Sequence, residues 1–328
     1  MEESMDEDIV ISIIVPCYNE EDVLPEFYSS VKNVLENKMH LNNYELLFVN
    51  DGSSDKTETI LKEFNKKDWH VQYLCFSRNF GKESAMYAGL LYAKGSYTVI
   101  MDADLQHPPE VIEKMYQEII SGQYDMIATR RKNRKNDPRI RAAFSHMFYG
   151  IMNKISGINM GNNAMDFRMF NQKAKNAILS VTEYNRFSKG IFEWIGFRTY
   201  WLEIEINDRQ AGKSKWSFRG LFSYSLEGCI AFSTLPLSLA SIMGCLCCVV
   251  ALIMMIIMVI QALIYGVEGS GYATTICLIL LIGGIQLFCV GILGQYLAKT
   301  YLECKNRPKF LVQETSWEAP IRNGSQRN

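Results

Sequence analysis

Two apolar stretches constrain this chain more than any other feature. Leu235–Val267 and Tyr272–Ala298 contain no Lys, Arg, Asp or Glu. Crossing the ~30 Å hydrocarbon core of a bilayer takes about 20 helical residues, and both stretches exceed that. A helix of such length in a water-soluble protein would keep a polar face. Gly266–Gly271 has room only for a tight turn. Residues 235–298 are therefore expected to form a two-helix transmembrane hairpin, which can also pack against copies of itself as a homo-oligomer. Lys213, Lys215 and Arg219 precede it, and Lys299, Lys305, Arg307 and Lys309 follow. The positive-inside rule puts both flanks in the cytoplasm. Trp216–Thr234, apolar with aromatic and Ser positions, is expected to form interfacial helices lying on the bilayer over residues 216–234.

The acidic start, Met1–Asp8, lacks the basic and then apolar regions of a signal peptide. The expected arrangement is thus a multi-pass protein of the inner (plasma) membrane. A catalytic domain over 1–215 would face the cytoplasm, and residues 299–328 would form a cytoplasmic tail that is polar and disordered from Pro320. A formal net charge of −1 over 328 residues gives no basic field for nucleic acid. The nine cysteines show no opposed C-x-x-C pairs and read as buried, reduced thiols.

The first 130 residues alternate short strands with amphipathic helices. Ile9–Val15, Tyr44–Val49, Val71–Phe76, Tyr97–Met101 and Tyr124–Ala128 are apolar runs of the kind buried on both faces of a parallel sheet. Between them Glu20–Glu36, Asp55–Lys66, Gly81–Ala93 and Pro109–Ile120 have helical periodicity. This predicts an α/β fold with a mostly parallel, Rossmann-like sheet. Ligands of such sheets bind outside the carboxyl ends of the strands. Pro16–Glu20, Asn50–Ser54 and Asp102-Ala103-Asp104 all follow strand ends.

Asp102 and Asp104, two carboxylates at positions i and i+2, can share one hard cation such as Mg²⁺ or Mn²⁺, with Gln106 adding an amide oxygen. The same carboxylates can instead cap the helix that starts near Pro109. Asp51-Gly52 can be a plain turn, and Asn19 or Asp55 a helix cap. Arg130–Arg141 carries seven cations against Asp137; it is either a solvated basic loop or a patch attracted to anionic lipid. Arg141 and Ser145 lie one helical turn apart and can share a face.

Pro16–Glu20, Asn50–Asp55, Ser77–Glu83 and Asp102–Glu110 stand in the order and rough spacing of glycosyltransferase family 2. More narrowly, the chain resembles dolichol-phosphate mannose synthases and bacterial bactoprenol (undecaprenyl-phosphate) glucosyltransferases, over nearly its whole length. The resemblance implies a GT-A fold. It implies that Pro16, Tyr18 and Glu20 line the base and ribose, that Asp51 contacts the base, and that Gly81 and Lys82 belong to a loop closing over the nucleotide. Asp102, Asp104 and Gln106 match the metal side.

Arg130, Arg141 and Ser145 match residues that hold an acceptor phosphate. Asp166, in Asp166-Phe167-Arg168, matches a candidate general base. It can equally pair with Arg168 or a backbone N–H. Since a phosphomonoester is largely ionised at pH 7, its second pKa being about 6, Asp166 can also orient the acceptor rather than deprotonate it. Arg209 and Lys215 match a juxtamembrane stretch that binds the diphosphate, or they anchor the chain at the surface. The implied reaction is inverting transfer of a sugar, with glucose and a UDP donor favoured, to undecaprenyl phosphate. The alternatives are a mannosyl or other hexosyl donor, a processive polysaccharide synthase and a catalytically inactive membrane scaffold. Gln210 is followed by Lys213 and Ser214 where the synthase motif Q-x-x-R-W would need Arg and Trp.

Overall fold

The computed structural model describes residues 9–132, 164–205, 235–265 and 271–317. The chain divides into two compact units, one of residues 1–223 with 306–328 and one of residues 224–305.

The first unit is built on one eight-stranded sheet. Its strands are β1 (Ile11–Cys17), β2 (Tyr44–Asn50), β3 (Val71–Phe76), β4 (Tyr97–Ile100), β5 (Met126–Arg131), β6 (Ala164–Asn171), β7 (Thr199–Ile204) and β8 (Val312–Thr315). They lie in the order β7-β5-β6-β4-β1-β2-β3-β8. The run β4-β1-β2-β3 is parallel, and every residue of β2 is buried, as the continuous apolar runs require. Antiparallel β6 sits between β4 and β5, and β7 pairs parallel with β5. The sheet is therefore mixed, with its parallel part carrying the expected Rossmann-like organisation.

Helices α1 (Leu24–Asn33), α2 (Thr57–Lys67), α3 (Lys82–Tyr92) and α4 (Val111–Ile120) follow β1 to β4 in turn. A π-helical turn, Val34–Lys38, prolongs α1. Val111, Ile112, Met115 and Ile119 form the buried stripe of α4, at helical spacing. Helix α3 is buried along most of its length. It comes so close to β1 that a Cβ at Gly89 would stand 2.1 Å from Ile14 Cγ2, so a glycine is required there. Two further helices, α5 (Gln172–Ser180) and α6 (Ser188–Trp194), follow β6.

Residues 299–328 read from the sequence as a tail, yet part of that segment is in the sheet. Strand β8 pairs antiparallel with β3, and Glu314 accepts from Lys62 Nζ (2.7 Å) and the Tyr73 hydroxyl (2.8 Å). Just before it, Phe310 is fully buried and stacks on Phe76 with ring centres 4.9 Å apart. A four-residue strand of sequence Val-Gln-Glu-Thr carries too little apolar pattern to be read in advance.

The second unit holds α7 (Leu235–Tyr265) and α8 (Tyr272–Cys304). Leu237–Gln261 and Leu278–Cys304 are long and apolar enough to cross a membrane. Their Leu, Ile, Val and Met side chains point largely outward, while Ala240 is buried with the Cys289 thiol 3.6 Å from its carbonyl.

Candidate active site

The register fixes where the motifs meet. Cys17 pairs with Asn50, and Ile14 with Ile100, so β1, β2 and β4 end at one edge of the sheet. Strand β6 runs the other way and pairs Arg168 with Ile100. Its start, with Asp166, therefore enters at that same edge beside Asp102.

The first two loops are laced together. Asn19 N–H donates to Ser53 Oγ (2.9 Å), Ser54 N–H to Asn19 Oδ1 (2.8 Å), Glu20 N–H to Thr57 Oγ1 (2.9 Å) and Lys56 N–H to Glu21 Oε2 (3.0 Å). Asp55 accepts from Thr57 N–H at the start of α2 and also from Glu21 N–H. Burial acts to raise its pKa, but these bonds hold the carboxyl below its ordinary value. Asp55 thus stands one residue before the N-cap position, which Lys56 occupies, and its second bond ties the two loops. Pro16 is the last but one residue of β1, and Tyr18 just beyond the strand is 39% exposed at the mouth of these loops.

Asp51 is buried, and its two carboxylate oxygens accept from Phe80 N–H (2.6 Å) and Gly81 N–H (2.9 Å). Burial pushes its pKa up against those two bonds. The side chain expected to contact a base thus holds the Ser77–Glu83 loop. Gly81 takes a left-handed φ of 94° and starts α3, which aims Lys82 back over the strand ends.

Lys82 Nζ lies 2.7 Å from Asp102 Oδ1, 2.9 Å from Asp102 Oδ2 and 2.9 Å from Asp166 Oδ2. Lys189, on α6, stands 4.0 Å from the other Asp166 oxygen. Burial acts to raise the Asp166 pKa, but Lys82 and then Lys189 override it and hold the carboxyl well below the usual carboxylate range. Burial acts to lower Lys82, but Asp102 and Asp166 hold its ammonium above the ordinary lysine value. Asp166 therefore pairs with Lys82, and Arg168 adds a further hold on its carboxyl. Arg168 is fully buried, donates to Glu193 Oε1 (2.9 Å) and lies between the rings of Phe192 and Trp201. It braces β6 against α6 and β7.

On the neighbouring turn, Asp104 Oδ1 accepts from Gln106 N–H (3.2 Å), and Leu105 takes a left-handed φ of 54°. Behind it His107 is buried against Phe167, with ring centres 5.2 Å apart. Next to Lys82, Glu83 is held by Ser188, whose N–H (3.0 Å) and hydroxyl both donate to its Oε2. Neither Lys189 nor Ser188 stands in a motif, and their contacts are with residues 23 and 105 positions away, so no spacing signal points to them.

Among the described residues no three His, Cys, Asp or Glu side chains gather as a self-sufficient metal cage. Mg²⁺ and Mn²⁺ sites at nucleotide phosphates need no such cage, since one or two carboxylates plus phosphate oxygens and water complete them. Asp102 and Asp104 supply hard oxygens of that kind. The ammonium lying across both oxygens of Asp102 marks the position as one that attracts a cation.

Arg130, next to the end of β5, pairs with Glu203 of β7 at 2.7 Å, each about half exposed. Arg141, Ser145, Arg209 and Lys215 fall outside the described residues.

The Rossmann-like sheet thus carries a D-x-D turn at its carboxyl edge, with a lysine spanning from it to a second acidic motif, and the family match makes the chain a glycosyltransferase. The profile of glycosyl transferase family 2 matches residues 12–179, and the chain belongs to that family. It is 37% identical over 305 residues to the bactoprenol glucosyl transferase of Shigella phage SfII, covering 93% of this chain and 98% of that one. It is 38% identical over 303 residues to a prophage bactoprenol glucosyl transferase homolog of Escherichia coli K12, covering 92% and 98%. Among solved structures, glucosyl-3-phosphoglycerate synthase from Mycobacterium tuberculosis matches at 12% identity with a TM-score of 0.48, covering 67% of this chain and 77% of that one.

Proposed function

We propose that this protein transfers glucose from UDP-glucose to undecaprenyl phosphate, with inversion, at the cytoplasmic face of the plasma membrane. The observation that carries the reading is the Lys82 bridge between the D-x-D turn and Asp166. It joins the turn read as the nucleotide side to the carboxylate read as the acceptor side, at one sheet edge. The similarity to bactoprenol glucosyl transferases over more than nine-tenths of both chains supports the choice of sugar and lipid.

In this reading a phosphate oxygen of the lipid attacks the anomeric carbon. The C–O bond to that oxygen forms as the bond to the UDP β-phosphate breaks, and UDP leaves. A divalent ion on Asp102 and Asp104, with Gln106 beside them, would supply charge stabilisation for the departing diphosphate. Lys82 adds a second cation at the same place. Asp166 stays ionised and orients the acceptor, and the dianionic phosphate needs no proton removed. Arg130, Arg141 and Ser145 are proposed to hold that phosphate. Arg209 and Lys215 are proposed to hold the diphosphate, and Pro16, Tyr18, Glu20, Asp51 and Gly81 to shape the nucleotide pocket.

Residues before and after the helix pair belong to the same folded unit, which supports an even number of crossings. The lysines and arginines on both flanks favour the cytoplasmic side for that unit. Placement at the surface matters because the acceptor cannot leave the bilayer.

The test is a product assay. Membranes holding the full chain are given undecaprenyl phosphate and, in turn, radiolabelled UDP-glucose, UDP-galactose, UDP-N-acetylglucosamine and GDP-mannose, each with and without EDTA. Label in a lipid-linked monosaccharide from UDP-glucose, abolished by EDTA, is the expected result. Label from GDP-mannose alone selects the mannosyl alternative, and a polymeric product selects a processive synthase.

A further inference from the structure

Three charged groups from separate parts of the chain meet at the strand ends. Lys82 touches both oxygens of Asp102 and one oxygen of Asp166 at 2.7 to 2.9 Å. An ammonium lying across both oxygens of Asp102 competes with a divalent ion for that carboxylate, and the two cations repel each other. The pair is open to exchange, because the Lys82 side chain is 42% exposed and exposed ion pairs are weakened by water. Lys82 is the first residue of α3, where the helix meets the loop held by Asp51. Asp166, at 19% exposure, is more enclosed and keeps Lys189 at 4.0 Å when Lys82 moves.

We infer that Lys82 is a positioning residue that holds Asp102 and Asp166 together in the free protein, and that it exchanges Asp102 for the diphosphate of the nucleotide sugar as a divalent cation is taken up. This rests on the metal and diphosphate reading of the strand-end site. Lys82 then couples the two sides of the reaction. While it spans the carboxylates, Lys82 weakens metal uptake at Asp102. Once it turns to the diphosphate, one Asp166 oxygen is released toward the acceptor. The consequence is ordered binding, with the nucleotide sugar first and the lipid phosphate second.

The experiment measures Mn²⁺ binding to the full chain in detergent, without nucleotide or lipid, from the electron paramagnetic resonance signal of free Mn²⁺. Lys82→Met is expected to bind Mn²⁺ about tenfold more tightly than wild type, within the usual range for coupled ligands. Lys82→Arg, which keeps the cation, stays near wild type. Lys189→Met removes a charge close to Asp166 with no contact to Asp102, so it controls for a general through-space effect and changes the affinity less than about twofold. Lys82→Gln repeats the measurement if the methionine variant does not fold. Equal affinity in wild type and the neutral variants overturns the inference. So does an equal gain in Lys189→Met, or no Mn²⁺ uptake by any of the proteins. Sugar transfer plays no part in this measurement, so a wrong choice of sugar or lipid in the proposed reaction leaves its outcome intact.

Discussion

Gly52 and Arg78 approach each other so closely that a Cβ on Gly52 would stand 2.4 Å from the Arg78 carbonyl carbon. Gly52 also has a φ of 64°, which favours glycine. The turn after β2 is thereby pressed onto the loop after β3, and Asp51 beside it accepts the Phe80 and Gly81 N–H groups. Gly52→Ala forces backbone, not a flexible side chain, to yield. It is expected to cost about 1–3 kcal/mol of stability, read as a lower thermal midpoint in detergent, and to weaken UDP binding because the Lys82 loop moves. A Gly52→Ala protein with unchanged midpoint and UDP affinity would show that this contact does not hold the loop.

Asp166 is expected to be silent across the physiological pH range. Its folded pKa is depressed by two lysines. By linkage, its contribution to stability is present above the unfolded value of about 3.9 and is lost only as pH falls below that. The rate should therefore show no Asp166 limb between pH 5 and 8. Asp166→Asn should lower kcat at all those pH values alike, with a larger effect on the lipid KM than on the nucleotide-sugar KM. An acidic limb in that window that disappears in Asp166→Asn would instead make Asp166 a proton acceptor.

The parallel half of the sheet was legible because strands buried on both faces are mostly apolar, as Leu46–Val49 is within fully buried β2. Strand β7 escaped that reading. Its Thr199–Leu202 are only half-buried, so neither a continuous run nor a clean alternation marks it. In the site, residues adjacent in sequence were legible, such as Asp102 and Asp104 on one turn. The partners were not. Lys82 finds Asp166 across 84 positions, and only the reversal of β6 against β4 brings them to one edge. Asp51 shows a different limit, since a carboxylate after a strand can serve a ligand or the chain's own N–H groups, and the choice depends on a loop 29 residues further on.

A second charged cluster is structural. Asp68, whose side chain is 4% exposed, accepts from Lys32 (2.6 Å) and the Tyr28 hydroxyl (2.7 Å) and contacts His70 Nδ1 (2.7 Å), tying α1 to the start of β3. Burial acts to raise its pKa, but these partners hold it far below the usual range. Asp68→Ala removes the buried acceptor of the Tyr28 hydroxyl and leaves Lys32 only the more distant Glu36 at 3.5 Å, at a cost of about 1–3 kcal/mol. The wild-type contribution is present above the unfolded pKa of about 3.9 and lost below it. Urea midpoints of the two proteins should thus differ at pH 7 and converge as pH falls below 4. A constant gap down to pH 2 would count against the charged cluster.

The chain after α8 returns to the sheet, and two of its residues test what holds it there. Glu314 bonds Lys62 and Tyr73, but its side chain is 39% exposed and Lys62 is 34% exposed. Pairs of that exposure contribute about 0–1 kcal/mol. Phe310 is fully buried against Phe76 and lies near the Tyr87 ring. Removing a buried aromatic ring costs about 3–5 kcal/mol through lost transfer energy and the cavity left behind. Phe310→Ala should therefore lower the thermal midpoint far more than Glu314→Ala does, and should open the β3 edge to protease by releasing β8. Truncation after Arg307 should act like Phe310→Ala. Equal, small effects from all three would mean that the apolar plug does not hold β8, and that the sheet is complete at β3 without it.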